Sequence, residues 1–195
     1  MTTTEYGTKI AGALKAVAQM HSETSRLLVD CDKYIGKGRP SVFGSYATRD
    51  LTYHYKATFW MAEGVYRYYP AGSDAVEGVT VAFHYAGAPN DPRSQSEPLL
   101  LVGHIQYSPS GNVLEDSSSK AKCNEWDLWS LYFEWGQDRE SDKLLTYELA
   151  DGGRITKAKL IAVPLFTVIG IEVVEGLARK VAAGSDDLSE AAGPH

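Results

Sequence analysis

Cysteine is scarce in this chain: Cys31 and Cys123 are the only two among 195 residues. Two thiols cannot build the disulfide framework on which small secreted folds depend, so a reducing cytoplasm is the expected compartment. Long apolar runs are also missing. The longest, residues 160–174, is broken by Pro164 and Glu172 and falls short of the ~20 residues that cross a bilayer. The first five residues are polar, without the basic and apolar regions of a secretory leader, so no leader and no membrane association are expected. Runs of Lys and Arg are absent, and the formal charge is -6, which disfavours a nucleic-acid partner. The linear signatures of chemistry are missing too. There is no P-loop, no dinucleotide fingerprint, no Ser-His-Asp order and no useful Cys-His spacing, so neither a cofactor nor a metal site is expected.

What is present is an ordinary globular composition, 44% hydrophobic and 23% charged. It suits a single domain with a sizeable core, taken here as residues 1–183, followed by a small, acidic, loose tail over 184–195. The strongest pattern opens the chain. Ile10, Leu14, Val17, His21, Thr24, Leu28, Cys31 and Ile35 follow one another in alternating steps of four and three. That spacing keeps side chains on one face of a helix and predicts one over 8–35. Ala13, Met20, Leu27 and Tyr34 widen the stripe beyond a strict coiled-coil seam, which points to a core-facing strut rather than a two-helix zipper. Gly36, Gly38 and Pro40 end it. Gly7 and Gly12 weaken its first turns.

The period then changes. Residues 51–61 alternate, with Tyr53, Tyr55, Ala57, Phe59 and Met61 on one side; 65–69 reads as a shorter strand, 79–86 puts Val79, Val81, Phe83 and Tyr85 on one face, and 99–107 is the most apolar strand. Period two with many aromatics predicts strands. Residues 124–135 fit either element. A strand puts Trp129, Leu131, Phe133 and Trp135 on one side and Leu128, Ser130, Tyr132 and Glu134 on the other, and it is the favoured reading. Strands over 143–149 and 154–163 flank Asp151-Gly152-Gly153, a hairpin turn, and a second helix is predicted over 167–183. A block of strands between helices argues for an α+β fold. It would be a long N-terminal helix packed on a curved antiparallel sheet of about six or seven strands, with a C-terminal helix.

Candidate functional residues divide into two groups. The Gly-Ser turn over 42–49 leads only to Asp50, without the second carboxylate that phosphoryl chemistry with metals requires, and reads as a tight turn. His54, His84 and His104 stand on three predicted strands, where a rim position is commoner than a ligand or a base. His84, His104 and Glu134 are the weak candidates for catalysis. Asp127 and Glu134 read as solvated charge in turns. The second group is aromatic. Trp126 and Tyr132 would face outward from the strand over 124–135, and Tyr66 and Tyr68 concentrate near Trp60. Such residues anchor cores and also dominate binding hot spots. The expected function is therefore a non-catalytic protein-interaction protein (a regulator, adaptor, inhibitor or assembly subunit), binding another protein or a second copy through an aromatic-rich surface. The alternative is a pocket protein or enzyme, with a cavity between the curved sheet and the long helix, since pocket residues leave no linear motif.

Overall fold

The computed structural model describes residues 3–45, 64–83, 97–109, 123–135, 142–149 and 154–184. Helix α1 runs from Thr3–Tyr34 and is followed by strands β1 (Gly64–Pro70), β2 (Ala75–Ala82) and β3 (Leu99–Tyr107). A four-residue helix α2 (Asp127–Ser130) continues into a π-helical turn (Leu131–Trp135). Strands β4 (Leu144–Glu148) and β5 (Ile155–Pro164), a 3₁₀ turn (Leu165–Thr167) and helix α3 (Ile171–Ala183) complete the order. Every strand pairing is antiparallel, and the sheet is open, in the order β1-β2-β3-β5-β4. This is the α+β fold expected, with five strands among the described residues rather than six or seven. The predicted strand over 51–61 and the Asp151-Gly152-Gly153 turn lie outside the described residues. The remaining difference is the stretch 124–135, which is helical from Asp127 to Trp135.

That difference has a readable cause. Leu128, Leu131 and Tyr132 are buried, as are Trp129 and Phe133. Steps of three and four define a helical face, and the alternation that suggested a strand was secondary to it. This segment covers one face of the sheet, against Tyr66, Tyr68, Leu101, Ile105, Tyr107 and Leu160. The other face carries α1 and α3, with Leu28, Cys31, Ile35, Val174, Leu177 and Val181 packed on Val79, Val81, Leu100, Val102, Ile161 and Val163. The sheet is thus buried on both faces, with Cys31 and Cys123 as free thiols in the two separate cores. Burial pushes each thiol up to about 12.

Strand β2 begins earlier than its sequence pattern suggests, at Ala75 instead of Val79. Gly78 directly precedes the strand predicted over 79–86. It is a paired strand residue opposite Gly103 of β3, and both lack a side chain because something else occupies the space. A methyl at Gly78 would stand 2.6 Å from the Tyr68 ring and 2.8 Å from Leu128 Cδ1, and one at Gly103 would strike Leu128 Cδ2. The glycine pair is a slot that receives Leu128 from α2.

Helix α1 starts at Thr3, five residues before its expected start, because Gly7 and Gly12 weaken helix propensity without forbidding it. Its end is anchored to β1. Tyr69 Oη donates to Asp32 Oδ1 at 2.7 Å, and Arg67 Nε lies 3.1 Å from the same oxygen. Gly36 allows Tyr69 to approach, and the chain turns through left-handed Lys37 and Gly38. At 1.5 Å per residue the 32-residue helix is about 48 Å long, and only its second half lies on the sheet. Among the described residues, no helix is long and apolar enough to cross a membrane.

Candidate functional sites

The stripe on α1 divides in two. Thr24, Leu28, Cys31 and Ile35 are buried, while Tyr6, Ile10 and Leu14 are 57%, 46% and 66% exposed. Ile10 and Leu14 were expected to face the core. No described element lies over them, because the helix runs past the sheet. Where the two halves meet, α1 and the segment before α3 enclose a groove of about 350 Å³, lined by Met20, Leu27, Leu165, Phe166, Ile169 and Ile171. Phe166 and Ile169 are 71% and 93% exposed. Six of α1's residues face this groove, Met20, Thr24 and Leu27 together with the charged Glu23, Arg26 and Asp30.

The aromatic residues singled out by the sequence are placed differently. Tyr66, Tyr68 and Tyr132 are buried in the core beneath α2. Phe43 packs edge-on against Tyr66 and Tyr68, with centroids 5.2 and 5.8 Å apart. Trp126 is half-buried, edge-on to Trp129 at 5.5 Å. Trp135, assigned to the inner side of a strand, is 47% exposed at the end of the π-helical turn. Trp60, His54 and His84 lie outside the described residues. Glu134 is exposed on the segment covering one sheet face, whereas His104 points to the opposite face, so these two do not share a site.

Asp127 corrects the sequence reading. It is 3% exposed, not solvated. Its carboxylate accepts from Tyr107 Oη at 2.7 Å, from the Asn124 N–H at 2.8 Å and from Arg154 Nη1 at 2.8 Å, and Arg154 Nη2 closes a bidentate pair. Beside it, Tyr68 Oη accepts from the Leu128 N–H at 3.1 Å. Every described partner of this carboxylate satisfies a buried charge at the start of α2, so the network reads as an anchor for the covering helix. Nothing in the sequence marks it, since Asp127 and Arg154 meet only after β3 and β5 pair.

The third place is a cleft of about 390 Å³ at the polar end of the sheet's helix-bearing face. It is lined by Arg39, Ala71, Glu77, His104, Gln106, Lys157, Lys159 and α3 residues Val181 and Ala182. Strand register puts Glu77, His104 and Lys159 side by side across β2, β3 and β5, with Gln106 and Lys157 in the next row. Burial, with Lys159 adding to it and Glu77 opposing, lowers the His104 pKa below its ordinary value. His104 is therefore neutral at pH 7. An NMR titration is expected to place its midpoint below the ~6.5 of an unperturbed histidine. Above that pH both the folded and the unfolded imidazole are neutral. As pH falls through it the unfolded chain takes up the proton first, so stability falls with pH and levels off once the folded midpoint is passed, with the loss retained below it. A midpoint at or above the ordinary value would contradict this account of the cleft. Among the described residues no group of three or more His, Cys, Asp or Glu is placed to hold a metal ion.

The fold and these sites define an α+β protein with an open antiparallel sheet covered on both faces and a helix overhanging it. No protein-family model, curated protein or solved structure matches the chain. Its functional reading therefore rests on its own geometry.

Proposed function

We propose that this is a non-catalytic interaction protein, a regulator, adaptor, inhibitor or assembly subunit, that binds an apolar surface of another protein or of a second copy. The observation that carries this reading is the continuity of the α1 stripe. The spacing that buries Thr24, Leu28, Cys31 and Ile35 in the domain's own core continues outward as exposed Tyr6, Ile10 and Leu14. Covering a Leu or Ile side chain contributes roughly 1.5–3 kcal/mol, so a partner that covers this stripe has a substantial driving force. The aromatic surface first expected is thereby replaced by a mainly aliphatic stripe on α1, a helix whose second half also lines the Phe166–Ile169 groove. The two free, buried thiols support a reducing, cytoplasmic setting.

The test is the double substitution Ile10→Glu, Leu14→Glu, followed by light scattering on a sizing column and affinity capture from the native host. Both positions are exposed, so folding should be retained, with a thermal midpoint close to that of the parent chain. The unmodified protein is expected to self-associate or to retain a defined partner, and the double variant to lose that association by at least tenfold in affinity. A protein that is strictly monomeric and captures nothing overturns the reading. So does a double variant that binds as well as the parent.

A further inference from the structure

The helix-bearing face of the sheet changes character along its strands. Around Val81, Leu100 and Val163 it is apolar and covered by α1 and α3. At the other end the His104 cleft lies open between Arg39, which follows α1, and the C-terminal turn of α3. Its volume of about 390 Å³ falls within the ~300–1,000 Å³ of small-molecule sites.

The charges in the cleft are unequal. Arg39, Lys157 and Lys159 are cationic, and among the described residues Glu77 is the one acid lining it. Glu77 is already paired, at 2.6 Å from Arg39 Nη2. Arg39 is itself held in place, donating to the carbonyls of Ile35 at 2.7 Å, Gly36 at 2.9 Å and Pro70. It forms a fixed wall. Lys157 pairs with Glu148 at 3.0 Å, but both side chains are largely exposed, and such pairs are weak and exchange readily. Lys159 forms no ion pair with a described residue, and its amine lies against Gly184 at the C-terminal cap of α3. Neither nitrogen of His104 has a hydrogen-bond partner among the described residues. Two lysines, an imidazole and the Gln106 amide thus converge on a space whose carboxylate is already neutralised. This happens on a chain whose overall formal charge is -6. A local excess of positive charge in a concave, low-dielectric setting concentrates anions.

We propose that this cleft binds a small oxyanion, a phosphate or carboxylate group of a small polar molecule. Lys159 and Lys157 supply the charge, and His104 and Gln106 supply directed hydrogen bonds. A neutral imidazole offers one N–H donor and one acceptor, which suits an oxyanion that keeps a proton. This inference stands apart from the association surface on α1 and does not depend on it.

The full chain is titrated with inorganic phosphate and, separately, with succinate, each against sodium chloride of equal ionic strength. Binding is read by calorimetry and by the ring signals of His104. Saturable one-to-one binding in either arm is expected, with the His104 signals moving, and the arm that saturates at lower concentration identifies the group. Lys159→Gln should weaken binding at least tenfold. Lys157→Gln, at a more exposed position, should weaken it several-fold. Lys33→Gln, on α1 beside Tyr34 and outside the cleft, should leave it unchanged. If both anions behave like chloride, or if Lys159→Gln and Lys157→Gln bind as the parent does, the proposal is overturned.

Discussion

Replacing Arg154 by alanine is expected to lower the stability of the folded chain by about 3 kcal/mol, because it leaves the Asp127 carboxylate charged and buried without its cation. Asp127 is 3% exposed, and Arg154 supplies two of the four hydrogen bonds that it accepts. The remaining two, from Tyr107 Oη and the Asn124 N–H, limit the loss without removing it. The natural control is Lys157→Ala. It breaks a salt bridge of similar length to Glu148, but one whose carboxylate is 76% exposed instead of 3%, and such surface pairs contribute ~0–1 kcal/mol. Tyr107→Phe should fall between them, at roughly 1–3 kcal/mol, the cost of leaving a buried acceptor short of a donor. Urea unfolding of the three variants gives the ranking directly, through midpoints at constant slope. Equal losses from Arg154→Ala and Lys157→Ala would mean that water reaches Asp127 and that the anchor at the start of α2 is not a buried one.

Leu128→Ala should be comparably severe, at ~2–5 kcal/mol, since it empties the slot formed by Gly78 and Gly103. Leu128 is fully buried and lies against both glycines across the β2–β3 pair. The converse substitution, Gly103→Ala, adds a methyl where Leu128 Cδ2 stands, with the Lys159 carbonyl 3.0 Å away on the other side. Overpacking of this kind costs roughly 1–3 kcal/mol. The informative experiment is the pair together. In the double variant the new methyl enters space vacated by the leucine, so the combined loss should be smaller than the sum by about 0.5–3 kcal/mol, the range for residues in direct contact. Simple additivity would show that α2 shifts away from the sheet instead of docking in the slot.

These two sites also show how far the residue order could be read. Asp127 carries no local mark of burial. In the sequence it is one acid in a stretch of Asn, Glu and Asp, and the same residues describe a solvated turn. Its burial depends on Arg154, 27 positions away, and on Tyr107, 20 positions away, both brought alongside by strand pairing. Gly78 is misleading for a related reason. A glycine at the edge of an alternating run reads as a break, and only the side chain that fills the vacancy shows why a strand residue lacks one. The segment over 124–135 is ambiguous because both periods place aromatics on one face. Which period prevails depends on what lies beneath it, here a sheet surface of Tyr66, Tyr68, Leu101 and Tyr107.

The weak catalytic candidates separate for the same reason. His104 stands on a predicted strand, and its neighbours Glu77 and Lys159 are set by register alone. Arg39 follows α1 and Lys157 lies on β5, so they come to one cleft only when these stretches fold together with β2, β3 and α3.

What the residues determined on their own were the features encoded locally. These are the amphipathic spacing of α1 and its glycine-rich end, the apolar runs of β3 and β5, and the block of strands between helices that makes the fold α+β. Each depends on periodicity along a few turns or a few strand residues, which the order of side chains specifies directly. The tertiary structure alone decided how much of the α1 stripe is covered. Tyr6, Ile10 and Leu14 continue, in steps of four, the helical stripe that holds Leu28, Cys31 and Ile35, yet the first three are exposed and the last three buried. Periodicity states which face of a helix is apolar. It does not state where along the helix the sheet ends, because that is set by the length and register of strands far away in the chain.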